Sequence, residues 1–159
     1  MPIDWEKHHR FMNVPGWCGP TTVWMVLDAC GIKKNVRKIT RKIWLKWYGT
    51  PPQLMAAYLS RYFSRMGYEQ NCNIASIRWH LGIGHIIIVN WMDGNEGHYS
   101  IVTDYDNGML TMVDSSRERP WTYGVDSNIF RQRWWDTLGG DMRHDGLLIW
   151  VDPGSVKHV

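Results

Sequence analysis

The sequence has few cysteines, and none of them is spaced for a disulfide framework. Three Cys residues occur among 159, and no CxxC pair is present. Cys18 and Cys30 are twelve residues apart, which is about 18 Å along a helix and far beyond the Cα separation that a disulfide tolerates. We therefore do not expect a small secreted domain held together by disulfides.

Long apolar runs are also absent from the sequence. No stretch approaches the roughly 18 consecutive apolar residues of a transmembrane helix. The N-terminal residues MPIDWEKHHR lack the apolar core of a signal peptide. We therefore expect a soluble, cytoplasmic protein with no transmembrane segment and no fused exporter.

Acidic residues are missing from one segment, Lys33 to Lys46, although the net charge of the chain is only +3. If this segment is helical, one face is apolar and another is basic. The apolar face holds Val36, Ile39, Ile43 and Trp47, and the basic face holds Lys34, Lys38 and Lys42. Two interpretations stay open: a solvated face, or contact with nucleic acid or another anionic surface.

The remaining composition is that of a soluble globular domain. Hydrophobic residues make up 44% of the chain and charged residues 21%, close to the usual averages. The length predicts a single domain over residues 1–159. Eleven Trp residues are an excess that indicates either a thick aromatic core or a cleft lined with flat side chains.

Helical patterns come first along the chain, and strand patterns follow. Helices are predicted for residues 19–30, for the basic segment and for residues 53–66, where Gly67 would end the third helix. Strands are predicted for residues 85–89, 98–105, 109–113 and 146–151. This order predicts an α+β fold in which helices pack against an antiparallel sheet.

Cys18 precedes Pro20 at the start of the first predicted helix. Proline is favoured in a first helical turn, and the positive end of the helix dipole favours a thiolate at that position. This segment alone leaves two interpretations: a buried thiol that packs as a small apolar side chain, or a nucleophile.

A nucleophilic thiol needs a base, and His98 is the best candidate among seven His residues. It opens a predicted strand directly after the loop MDGNEG, where a side chain stays accessible. His85, by contrast, fits an ordinary position in the sheet. No HExxH or Cys/His ligand spacing occurs, so we expect neither a metal site nor another cofactor.

The group that orients the base depends on the register of the predicted hairpin. A two-residue turn at Asn107-Gly108 would place Asp114 opposite Ile101, away from His98. A three-residue loop over 106–108 would place Asp114 opposite Ser100, diagonal to His98 on one face. We predict the three-residue loop, because only that register, or a compensating bulge, brings Asp114 to the site; otherwise Asp114 would simply cap the following turn.

Several segments together resemble one known family. They are CGPTTVWMVLDACGI, YGTPPQLMAAYLSRYFSRMGY, HIIIVNW, GHYSIVTDYDNGMLTMVDSS and NIFRQRWWD. In this order they resemble the successive blocks of the C39-like cysteine peptidases, a papain-like group related to bacteriocin-processing peptidase domains. The resemblance implies a helical lobe over about 1–75, a β-sheet lobe over about 76–159, and a peptide or protein substrate. It also implies that Cys18 is the nucleophile, that His98 is the general base and acid, and that Asp114 orients His98.

The chain departs from that family at one position. The family usually carries a Gln a few residues before the cysteine, where its amide helps to stabilise the oxyanion. Here the nearest amide is Asn13, one position off the usual spacing, and losing one oxyanion donor costs about 100- to 1000-fold in rate.

From the candidate residues and the resemblance together, we predict a cysteine peptidase or related amide hydrolase that acts through a thioester. The alternative is a catalytically impaired domain that serves as a peptide- or protein-binding module.

Overall fold

The structure, a computed structural model, describes residues 2–12, 14–46, 48–94, 96–117, 121–138 and 142–157. Its helices are α1 (Trp5–His8), α2 (Cys18–Ala29), α3 (Val36–Ile43), α4 (Pro52–Leu59), α5 (Ile74–Gly82) and α6 (Ser127–Arg133). Its strands are β1 (Met66–Glu69), β2 (Ile86–Asp93), β3 (Glu96–Asp106), β4 (Met109–Val113), β5 (Thr122–Asp126), β6 (Trp135–Leu138), β7 (Met142–Asp145) and β8 (Leu148–Val151).

The strands form a six-stranded sheet in the order β1-β8-β2-β3-β4-β5, and β6 pairs with β7 as a separate ribbon. Neighbouring strands in both are antiparallel. The mixed architecture confirms the predicted α+β class, with an N-terminal helical lobe packed against an antiparallel sheet lobe. The sheet also takes in β1, which comes from the segment that we assigned to the helical lobe.

The central strand β2 is buried on both faces, as its β-branched sequence predicts. Ile86 and Ile88 pack into one core, together with residues of α2, α3 and α4. Ile87 and Val89 pack into a second core on the opposite face, with Phe130 of α6 and other side chains. The alternation of side chains along the strand thus divides one apolar run between two layers.

Helix α2 confirms the first predicted helix almost to the residue. It spans Cys18–Ala29, and Gly31 follows in the left-handed conformation with φ +79°, where glycine costs least. Val23, Val26 and Leu27 are completely buried. The helix that carries Cys18 is therefore anchored along its length in the core.

The third predicted helix is wrong beyond Leu59. Helix α4 ends there, and Met66–Glu69 pairs with β8 instead. Gly67 lies so close to the Trp150 indole that an added methyl group would overlap the ring, which selects glycine on this strand. The local period of four did not reveal this pairing, because the partner strand is about 80 residues away along the chain.

Helix α3 is shorter than the basic segment and has the predicted two faces. Ile39 and Ile43 are buried, whereas Lys38 and Lys42 are exposed, and Asn35 caps the first turn by accepting from the Arg37 N–H at 2.8 Å. The predicted apolar position at Trp47 lies outside the described residues. Within the described ranges, no helix combines the length and apolarity that crossing a membrane requires.

Candidate active site

Cys18 is the first residue of α2 and is half-buried. The Thr22 hydroxyl donates to the Cys18 carbonyl at 2.6 Å, which ties the first turn together. Gly19 packs so tightly on the Thr50 side chain that a methyl group there would overlap it. The thiol is thus held at the positive end of a rigid helix, as the position of Pro20 indicated.

The backbone N–H of Cys18 is available for a ligand. In the part of the chain that the structure describes, Trp17 N–H bonds to the Val14 carbonyl, Thr21 N–H bonds to the Trp17 carbonyl, and no acceptor takes the Cys18 N–H. The first N–H groups of a helix have no partner within the helix. Asn13, the residue considered above as an oxyanion donor, lies outside the described residues.

His98 lies on β3, opposite Trp91 of β2, is hydrogen-bonded to Asp114 and lies close enough to Cys18 for Cys18 to affect its pKa. Its Nε2–H donates to Asp114 Oδ1 at 2.5 Å, so Nδ1 is the ring nitrogen left for the thiol. Burial lowers the pKa of His98, but the hydrogen bonds with Asp114 and Cys18 and the charge of Asp114 outweigh burial and raise it to about 10. At neutral pH the side chain of His98 is therefore a positively charged imidazolium.

The strands of the hairpin have the predicted register beside Asp114, but a β-bulge produces this register and not a three-residue loop. The three-residue loop is wrong: Asp106 pairs directly with Met109, and Asn107 and Gly108, with φ of 49° and 80°, form the two-residue turn that twisted hairpins favour. The register then shifts at Thr103, and Ile101 pairs with Val113. This β-bulge places Asp114 beside Ser100 and on the side of His98.

Asp114 is completely buried and accepts five hydrogen bonds. Oδ1 accepts from His98 Nε2 and from the N–H and hydroxyl of Ser116, and Oδ2 accepts from the hydroxyls of Ser100 and Tyr123. Burial raises the pKa of Asp114, yet the hydrogen bond and charge of His98, followed by the two serine hydrogen bonds, hold it well below its ordinary value. The group is an ionised carboxylate whose orientation is fixed from both sides.

The sequence analysis assigned no role in this network to four of its members: Ser100, Ser116, Tyr123 and Trp91. Ser100 links Asp114 to the buried indole of Trp91, which donates to Ser100 Oγ at 3.0 Å. The Arg117 Cζ atom lies 3.9 Å from the centroid of the Tyr123 ring, over its face. Burial is the main cause that raises the pKa of Tyr123, and the charge of Asp114 is the second. The position of Ser100 follows from the hairpin register, whereas Tyr123 lies on β5, which no sequence pattern predicted.

A second buried chain of hydrogen bonds supports the backbone of His98. Asn90 Nδ2 donates to the His98 carbonyl at 3.1 Å, and His144 Nε2 contacts Asn90 Oδ1 at 2.6 Å. His9 Nε2 contacts the Asp114 carbonyl at 2.9 Å. The sequence did not indicate His9 or His144 as members of the site.

One group of potential metal ligands occurs within the described residues. Ligand atoms of Asp93, His98 and Asp114 all lie within 4.8 Å of one another. His98 and Asp114 already use Nε2 and Oδ1 for their mutual hydrogen bond. The arrangement therefore fits a proton-sharing pair better than a set of cation ligands.

A comparison with known families identifies the family of this chain. Residues 2–141 match the Peptidase_C39 like family, which covers most of the chain. The chain belongs to the C39-like peptidases. None of the curated proteins matches the sequence significantly.

Two solved structures show the C39 fold. The first is the peptidase domain of Streptococcus ComA, a bi-functional ABC transporter involved in a quorum sensing pathway; it has 16% identity and a TM-score of 0.68, with 89% of this chain and 96% of that chain covered. The second is a double glycine motif protease from an AMS/PCAT transporter in complex with its leader peptide; it has 10% identity and a TM-score of 0.65, with 90% and 89% covered. At these identities the likeness establishes the fold alone.

Proposed function

We propose that this C39-like chain, a single domain over residues 1–159, is a cysteine peptidase or related amide hydrolase. Cys18 is its nucleophile, His98 its general base and acid, and Asp114 the group that holds His98. The observation that carries the proposal is that one imidazole donates to a buried carboxylate and lies close enough to the Cys18 thiol for Cys18 to contribute to raising its pKa. A nucleophile, a base and an orienting acid in this sequence form the arrangement that acyl transfer requires.

In the proposed mechanism the Cys18 proton already resides on His98 Nδ1, as a thiolate–imidazolium pair, and the sulfur attacks the carbonyl carbon of the scissile amide. The carbonyl oxygen becomes an oxyanion, which the Cys18 N–H at the start of α2 stabilises. His98 then donates the proton to the leaving nitrogen as the C–N bond breaks, which leaves a thioester on Cys18. A water molecule attacks the thioester, gives a proton to His98 and releases the carboxylic acid, which restores the pair of Cys18 thiolate and protonated His98.

The proposed substrate is a peptide or protein. The second structural neighbour was solved with a leader peptide and is named a double glycine motif protease, so peptides with consecutive glycines belong in a first substrate panel. The basic face of α3 remains a separate prediction of contact with anionic partners, which binding that weakens strongly with salt would support.

The other two thiols provide an internal control for testing the nucleophile. Burial raises the pKa of Cys30 to about 11, and burial followed by the charge of Glu69 raises the pKa of Cys72. Both therefore stay protonated at neutral pH and react slowly. Iodoacetamide at pH 7, followed by peptide mass spectrometry, should modify Cys18 at least about tenfold faster than either.

A hydrolysis assay tests the whole proposal. Wild type should cleave members of a quenched fluorescent peptide panel, whereas Cys18→Ala and His98→Ala should not, and a substrate-derived acyl group on Cys18 should be trapped at low pH. Modification of all three cysteines at equal rates, or hydrolysis that survives Cys18→Ala, would overturn the assignment. Peptide binding without any cleavage would instead support the binding-module alternative.

A further inference from the structure

A cleft of about 350 Å³ lies between the helical lobe and the sheet. Its wall on the helical side includes Leu45, Tyr48, Pro51 and Pro52, and its wall on the sheet side includes Tyr99 and Asp136. The Tyr99 hydroxyl donates to the Thr50 carbonyl at 2.6 Å, which joins the two walls. Residues of both lobes therefore line the cleft, and a hydrogen bond between the lobes holds its two walls together.

Neither Cys18 nor His98 lines this cleft, but residues that line it contact or adjoin the backbone next to each of them. On one side, Thr50 packs against Gly19, the residue after Cys18. On the other side, Tyr99 directly follows His98, and the Asp136 carboxylate packs on Gly97, where an added methyl group would overlap it. A side chain in the cleft would consequently lie close to the bond that Cys18 attacks.

Among the described residues that line the cleft, Asp136 is the single charged one. Its Oδ1 accepts the Thr137 N–H at 2.7 Å, and no ion pair within the described ranges involves Asp136. Its charge contributes, after burial and Cys18, to raising the pKa of Tyr99. The cleft thus contains a negative charge that no described cation neutralises.

The other wall suits the stem of a long cationic side chain. The Pro51 and Pro52 rings and the Leu45 side chain offer apolar surface to methylene groups. Tyr48, which is 62% exposed, offers an aromatic ring on which an ammonium or guanidinium group can lie. Apolar walls with a carboxylate opposite them select a side chain that is apolar along its length and positive at its end.

We propose that this cleft binds the Lys or Arg side chain of a peptide substrate, within a few residues of the scissile bond. Asp136 is the specificity-determining residue, because its carboxylate pairs with the cationic group. The inference rests on the proposed function, since a subsite beside Cys18 selects a substrate only if Cys18 attacks one. Peptides with Asp or Glu at the same place are excluded, because like charges repel.

The first experiment measures binding without catalysis. Cys18→Ala is incubated with a library of N-acetylated hexapeptides, so that side chains supply the cations, and bound peptides are identified by mass spectrometry. Lys and Arg should be enriched in the bound fraction and Asp and Glu depleted. The enrichment should vanish in Cys18→Ala/Asp136→Asn and persist in Cys18→Ala/Asp145→Asn, which removes a charge of the same sign from the ribbon but outside the cleft.

The second experiment measures cleavage by wild type, Asp136→Asn and Asp145→Asn. For a peptide with Lys in the selected position, Asp136→Asn should lower kcat/KM by about 10- to 100-fold. For the same peptide with norleucine in place of Lys, the substitution should change kcat/KM little. Asp136→Lys should favour Glu at that position. Thermal unfolding of each variant checks that it is folded.

The two experiments separate failure of the subsite from failure of the chemistry. Binding without enrichment of Lys and Arg, or enrichment that survives Asp136→Asn, overturns the subsite. Enrichment that depends on Asp136, together with no hydrolysis by wild type, overturns the proposed function and leaves the cationic subsite as part of a peptide-binding module.

Discussion

His98 Nε2 lies 2.5 Å from Asp114 Oδ1, on a carboxylate that four further donors hold in place. Asp114 is completely buried, and His98 is nearly so. In such surroundings a charged hydrogen bond is strong, but an unpaired charge is costly. The pair therefore affects the stability of the fold and, in the proposed mechanism, the reactivity of Cys18.

Asp114→Asn should lower kcat/KM by about 100- to 10,000-fold. The amide keeps the shape of the side chain but does not stabilise the imidazolium, and its NH₂ group opposes the His98 N–H. The pKa of His98 should fall, which an NMR titration of the imidazole would measure. Asp104→Asn, an exposed change on the same hairpin, should leave both quantities unaltered; equal losses in the two variants would contradict the assignment.

Ser100→Ala should destabilise the fold more than Tyr123→Phe. Removal of the Ser100 hydroxyl takes a donor from Asp114 and also leaves the buried Trp91 N–H without an acceptor, which costs about 1 to 3 kcal/mol. Removal of the Tyr123 hydroxyl takes away one donor, and its cost is about 1 kcal/mol. Urea unfolding of the two variants provides the measurement, and the reverse order would show that Ser100 does not connect the two partners.

The stability of the fold should decrease between about pH 6.5 and pH 10. The pKa of His98 is raised from 6.5 to about 10 in the folded state, so within this window the folded chain binds a proton that the unfolded chain releases. The contribution is complete below pH 6.5 and is lost as the pH rises through about 10, with a slope of at most about 1.4 kcal/mol per pH unit.

Urea unfolding in a Cys18→Ala background removes any contribution of the Cys18 thiol from this comparison. Asp114 remains as the partner that raises the pKa of His98 in this background. Comparison with Cys18→Ala/His98→Gln then shows how much of the pH dependence of the free energy of unfolding comes from the His98 imidazole and how much from other groups. If both variants lose the same stability from pH 6.5 to pH 9, His98 is not the group that titrates.

Deletion of Thr103 should leave Asp114 in place. Thr103 is the unpaired residue at the bulge, so a chain without it forms a regular hairpin in which Asp114 still lies opposite Ser100. Deletion of Thr111 from the facing strand should instead move Asp114 opposite Ile101, away from His98. We expect hydrolysis within about tenfold of wild type for the first variant and none for the second. Comparable activities would contradict this account of the register.

Much of the local structure follows from short-range patterns. The period of α2 and Gly31 after it define a helix that begins at Cys18, and the β-branched run in β2 defines a strand buried on both faces. The predicted helix over 53–66 failed because the pairing of β1 with β8 outweighs a local period. The ribbon β6–β7, which carries Asp136 and His144, shows no pattern strong enough to predict.

The order of chemical groups along the chain was determined by the sequence alone: a cysteine before a helix, a histidine at the start of a strand, and an aspartate at the end of the next strand. Whether they meet was decided by the tertiary structure. One extra residue at Thr103 corrects the register that the Asn107-Gly108 turn sets, and β5 and β2 bring Tyr123 and Trp91 to the buried carboxylate network. Side chains on strands far apart in sequence converge only when the sheet is assembled, because the turn, the bulge and the pairing together determine which face each residue occupies.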